Sequence, residues 1–244
     1  MEIFNEGGIE ALARYGHILA GITWIGLLYY FNFVQTPAFA AFEAGPRNEA
    51  FAKLVPRAMW WFRWAAMATL AFGILLFGLY SGGDDKPYDG MKNVQVMAIL
   101  AGIYFALIMF SNVWFVIWPA QRRAIANAQN VIAGGEADAG LPPVMRKAAT
   151  CSRTNTFLSI PMLFFMVIAA HFAASANYDS SDGGKRVIWY LVILVVGVIA
   201  EAIALKAPAV GSGLSKHLDN HRNTIIGGFV LVVALYLVFE GVFG

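Results

Sequence analysis

The 244-residue chain is 59% hydrophobic and only 13% charged, with a formal net charge of +2. A soluble domain carries roughly 25% charged residues, so the composition is that of a membrane protein. The charge balance argues against a nucleic-acid partner, which would need a clustered basic face. The single cysteine, Cys151, excludes an internal disulfide and a CxxCH haem-attachment motif.

In chain order, the first stretch is ARYGHILAGITWIGLLYYFNFV at 13–34, uncharged for twenty residues after Arg14 and with His17 near its start. It is too long for a signal peptide and lacks a small-residue cleavage pattern behind it, so it reads as a permanent span. Six such spans are expected, at about 14–34, 58–80, 93–119, 154–177, 187–206 and 223–243. Turn-rich loops separate them at 81–90, 177–185 and 206–216. The longer connection 120–153 contains AQRRAIANAQNVIAGG, which predicts a short interfacial helix ending at Gly134–Gly135. The fold expected is all-α: a polytopic integral membrane helical bundle forming one domain over 1–244.

Lysines and arginines give the orientation. Five lie on the amino-terminal side (Arg14, Lys86, Lys92, Lys185, Arg186) and the remaining twelve on the opposite side. The positive-inside rule puts the arginine-rich side in the cytoplasm and both termini outside.

Ionisable side chains inside spans are expensive and need a reason. His17 lies near the outer end of the first span and His171 near the outer end of the fourth. At about 1.5 Å per residue both fall roughly 5–12 Å below the outer surface. Two imidazoles from different helices at one depth can ligate a haem iron, and the facing helices of a bundle are where such cofactors sit. Gly21 is one turn from His17, and Ala169, Ala170, Ala173, Ala174 and Ser175 around His171 leave room for a flat macrocycle. Arg14, one turn outward from His17, could pair a haem propionate. The alternative is that each histidine simply hydrogen-bonds a neighbouring helix.

Other polar residues compete. Glu201 could relay protons or bind a substrate, or pair with Lys206 or an arginine. His217 and His221 are four apart and share a helix face, but with no third ligand evident they read as a solvated loop. The loop GGDDKPYDG lacks calcium-loop spacing and reads as a turn. Trp60, Trp61, Trp64, Trp114 and Trp118 read mostly as an interfacial belt.

Two motifs, HILAGITWIGLLYYFNFVQTPAF (17–39) and SRTNTFLSIPMLFFMVIAAHF (152–172), resemble the membrane-embedded urate oxidase N-terminal domain family of bacterial urate hydroxylases. The first motif is also similar to the opening helix of the membrane-type protoporphyrinogen oxidase and copper-resistance families. Residues matching the motifs are His17, Trp24, Gly26, Asn155, Thr156, Ser159, Pro161 and His171. The resemblance implies a bacterial inner-membrane oxidoreductase, with haem b as the cofactor expected at His17 and His171, passing urate electrons to a cytochrome c. Its partners would then be membrane lipid, a cytochrome c and other membrane subunits. Two departures stand out: no cytochrome c domain follows the spans, and position 153 is Arg where relatives often have histidine. An accessory subunit of a respiratory or photosynthetic complex is the alternative function. Pro161 is expected to break the fourth helix and free a carbonyl near Phe157, and NHRNT (220–224) faintly echoes SRTNT (152–156).

Overall fold

The computed structural model describes residues 2–81, 88, 91–173, 177–206 and 213–244, and its long elements are all helices. They are α1 (Glu6–Tyr29), α2 (Thr36–Ala41), α3 (Ala44–Lys53), α4 (Val55–Ser81), α5 (Val94–Ser111), α6 (Trp118–Ile132), α7 (Leu141–His171), α8 (Gly183–Leu205) and α9 (His221–Phe243). Six helical runs among the described residues are long and apolar enough to cross a membrane, and each contains one of the expected spans over most of its length. Large apolar side chains such as Ile22, Ile74, Phe115, Val198 and Leu237 stay exposed on their outward faces, as a lipid-facing surface requires.

Local chemistry sets the helix starts. Asn5, Asn93, Asp182 and Asn220 each accept a backbone N–H of the following turn, at Gly8, Val96, Gly184 and Arg222, over 2.7–2.9 Å. Proline sets two irregularities. Pro37 and Pro119 have no N–H to offer the carbonyls four residues back, Phe33 and Phe115. In both places the chain widens into a π turn, at Tyr30–Gln35 and Asn112–Ile117. The residues before the prolines, Thr36 and Trp118, donate five residues back, to Phe31 and Val113. Each π turn holds a buried asparagine, Asn32 or Asn112.

One sequence expectation is corrected, one is borne out, and one helix is new. Pro161 does not break the fourth span: α7 runs unbroken from Leu141 to His171. α9 packs against the turn whose carbonyl the proline frees. An ideal Cβ at Gly228 would stand 3.0 Å from the Phe157 carbonyl oxygen, so the absent side chain lets the backbones approach. The interfacial helix expected in 120–153 is α6, and the π turn joins it directly to α5. Lastly, the segment 44–53, given no helix from the sequence, forms α3 and packs against α6, which presents Ala120, Ala124 and Ala128 at helical spacing as its buried face.

The central helix is α7, packed against α5, α6, α8, α9 and α1. Its apolar half holds Leu158, Met162 and Phe165, and Phe165 meets Trp189 and Phe239 edge-on or tilted. One face of the bundle gathers the start of α1 with the end of α4, through Tyr80 and Glu10 at 2.5 Å. It also gathers the turn after α7 with the end of α9, through the Asp179 N–H and Phe243 carbonyl at 2.7 Å. The opposite face carries α3, α6 and the start of α7.

Candidate functional site

His17 projects from α1 onto α4. Its Nδ1 donates to the Thr69 carbonyl over 2.9 Å, since a carbonyl can only accept. That carbonyl is exposed to the ring because α4 is thin here: an ideal Cβ on Gly73 would lie 3.1 Å from His17 Cε1. The tautomer is thereby fixed, and Nε2 keeps the ring's lone pair. Gly21 also faces Thr69, with a Cβ 4.0 Å from its methyl. Arg14 is engaged locally, by Glu10 at 2.6 Å and by the Tyr80 hydroxyl.

His171 is the last residue of α7, and its ring is exposed. Among the described residues no ring contact joins His17 to His171. Nearby, Phe172 meets Tyr178 edge-on, and the Tyr178 and Tyr236 hydroxyls both donate to Glu240 Oε1 on α9. Ala169 and Ala173 are buried beside His171, while Ala174 and Ser175 lie outside the described residues. Asp84, Asp85 and Asp89 of the acidic turn also lie outside them.

The structure brings together a second group. Along the arginine-rich half of α7 runs a polar seam comprising the half-buried Ser152 and Arg153 and the buried Asn155, Thr156 and Ser159. Asn32 of the first π turn donates to Ser152 Oγ at 2.8 Å and accepts from Arg153 Nε at 2.9 Å. Arg153 also caps the chain before α9, donating to the Leu218 and Asp219 carbonyls at 3.0 and 3.1 Å. One turn deeper, Ser159 donates to the Thr156 carbonyl at 2.7 Å and stands 2.8 Å from the Tyr29 hydroxyl. On the other side of α7, Asn155 donates to the Met109 carbonyl at 2.9 Å and accepts from Asn112 at 3.0 Å. Asn112 reaches Glu201 Oε2 at 2.9 Å. Glu201 therefore pairs with an amide rather than with Lys206. Buried polar groups at membrane depth favour partners among one another, and the seam provides most of them across α1, α5, α7 and α8, while Asn112 Oδ1 stays without one among the described residues.

Sequence reasoning found Asn155, Thr156 and Ser159 through their motif but missed Asn32 and Asn112. The signal was available: a lone asparagine in an apolar run, five or seven residues before a proline. His217 lies exposed in the short helical turn Leu214–Asp219 and His221 at the exposed start of α9, where it contacts Phe33 at 6.0 Å. Among the described residues no cluster of three or more His, Cys, Asp or Glu side chains is placed to hold a metal ion.

The family model described as urate oxidase N-terminal matches residues 93–208, from the start of α5 to just beyond α8. This range contains the SRTNT motif and His171, and it is the family whose resemblance the motifs carry. No curated protein and no solved structure matches the chain.

Proposed function

On the premise that residues 93–208 match the urate oxidase N-terminal family, we propose that this chain is a haem b-holding membrane oxidoreductase related to urate hydroxylases. It would lie in a bacterial inner membrane with its arginine-rich face in the cytoplasm and pass electrons to a cytochrome c outside. The observation that carries this reading is the committed Nδ1–H of His17. An imidazole anchored in this way presents Nε2 in a fixed orientation, the arrangement shared by most metal-ligating histidines.

The residues fit the cofactor unequally. His17 is oriented to ligate. His171 ends its helix with an unrestrained, exposed ring, able to turn toward a ligand. Arg14 would have to exchange Glu10 for a propionate. Bound haem would supply one-electron transfer, and two imidazole ligands would suit it to that rather than to oxygen binding. The buried Ala169 and Ala173 keep the inward side of this end of α7 apolar, and the seam on the opposite half keeps α7 in register with α1, α5 and α8.

A reduced-minus-oxidised spectrum of the purified protein tests the reading. A b-type band is expected, lost or converted in His17→Ala and His171→Ala and unchanged in His217→Ala and His221→Ala. A colourless protein would sink it. Arg153 favours one second reading, an accessory subunit of a larger membrane complex: its side chain is spent on Asn32 and the chain before α9. Stoichiometric co-purification with an oxidase or reductase, with no turnover alone, would support that instead.

A further inference from the structure

Glu201 lies half-buried on α8, about 6 Å along the axis before the helix ends at Leu205. It shares a face with Gly197 one turn back, where α5 closes so tightly that a Cβ would stand 2.3 Å from Tyr104 Cε1. Among the described residues its hydrogen-bond partner is the Asn112 amide, 2.9 Å from Oε2, and no cation stands within ion-pair distance of it. The other carboxylate oxygen, Oε1, takes no hydrogen bond from the described residues.

Three ionisable side chains lie within electrostatic reach: Tyr104 of α5, and Lys147 and Cys151 of α7. Lys147, Cys151 and Asn155 follow one another at spacings of four, so they form one line along α7. The line runs from the exposed Lys147 through the buried Cys151 to Asn155, which accepts from the same Asn112 amide. The turn Leu214–Asp219 and α9 also pack on α8 and bring Lys216, His217, Asp219, His221 and Arg222 to this end of the bundle. Among the described residues none of those five pairs with Glu201.

Holding three helices together does not require a carboxylate here. A glutamine would accept the Asn112 N–H in the same way without the cost of a charge inside a span. What the carboxylate adds is the ability to take up and release a proton. We propose that Glu201 is a proton-binding site that exchanges with solvent at the arginine-rich face, past Lys147. The proton bonds to Oε1, the oxygen left free, while Oε2 keeps the Asn112 N–H. When the proton returns to solvent, the charge left behind is stabilised by that N–H and by the Lys147 ammonium. Nothing is oxidised or reduced in the exchange. The site is independent of the haem reading, since it uses neither His17 nor His171.

Dicyclohexylcarbodiimide tests the assignment, because this apolar reagent adds a protonated carboxyl across one of its C=N bonds. The detergent-purified protein is treated at a series of pH values and the α8 peptide is mapped by mass spectrometry. Modification of Glu201 should fall through one midpoint as pH rises, and Glu201→Gln should abolish it. Lys147→Gln removes a cation that favours the charged form, so the midpoint should move up by about 0.5 on the pH scale. Asn112→Ala removes the N–H donor and should move it up by about 1 or more. Lys53→Gln, exposed on α3, should leave it in place. Glu201 unmodified throughout about pH 5–9, or modified equally throughout, overturns the site. So does a midpoint that Lys147→Gln leaves unmoved. Should Asn112→Ala fail to fold, Lys147→Gln decides alone.

Discussion

The Asn112 amide donates to Glu201 Oε2 over 2.9 Å, joining the π turn that follows α5 to α8 inside the bundle. The same amide donates to Asn155 Oδ1 at 3.0 Å, so one side chain holds three helices. Removing it strands two acceptors, the buried Asn155 Oδ1 and the half-buried, ionisable Glu201. Asn112→Ala should therefore cost about 2–4 kcal/mol, whereas Glu201→Gln keeps an acceptor for Asn112 and should be close to neutral. Thermal unfolding in detergent separates the two, and equal losses would mean the carboxylate has another partner.

Space beside His17 gives a second prediction. A methyl at Gly73 would press on the imidazole at 3.1 Å, while one at Gly78 would meet nothing within 4 Å. Gly73→Ala should shift the spectrum or midpoint potential of any haem bound through His17, and Gly78→Ala should leave both as they are. Identical spectra for the two variants would count against His17 as a ligand.

At the α7–α9 crossing, Gly228→Ala should be destabilising by about 1–3 kcal/mol, because the added methyl meets a backbone oxygen at 3.0 Å and Ile160 at 2.5 Å. Gly241→Ala, on the same helix with open space around it, should instead hold or raise stability. A neutral Gly228→Ala would show that α9 can slide away from α7.

Arg123 grips Asp138 with two bonds, at 2.5 and 2.8 Å, and holds its carboxyl below the usual carboxylate range; the Gly140 N–H adds to this. A carboxyl depressed on folding stabilises above its unfolded pKa, and that contribution disappears as pH falls through the folded value. Asp138→Asn should lower the unfolding midpoint at pH 7 and make no difference near pH 2. Both groups are solvent-exposed, so salt should shrink the pH 7 effect. A difference that persists at low pH would assign Asp138 to backbone capping rather than to the ion pair.

Orientation is testable because the native cysteine is silent: Cys151 is fully buried. A membrane-impermeant thiol reagent applied to intact cells should label Ser181→Cys and miss Gln129→Cys. The reverse pattern would move the proposed cofactor to the cytoplasmic side.

The spans and the side-to-side charge bias were legible in the sequence, because a bilayer imposes one-dimensional rules on length, polarity and charge. Pro37, Pro119 and Pro161 show where such rules stop. The same missing N–H opens a π turn at the first two and leaves α7 unbroken at the third. The tertiary surroundings differ: at Pro161, α9 packs Gly228 close to the freed carbonyl. Likewise Asn32 and Asn112 are unremarkable letters in apolar runs until Ser152, Arg153, Asn155 and Glu201 meet them from other helices. Only packing decides which polar atoms share a seam and which histidine nitrogen is committed to Thr69, since each depends on partners 52 to 130 positions away in the chain.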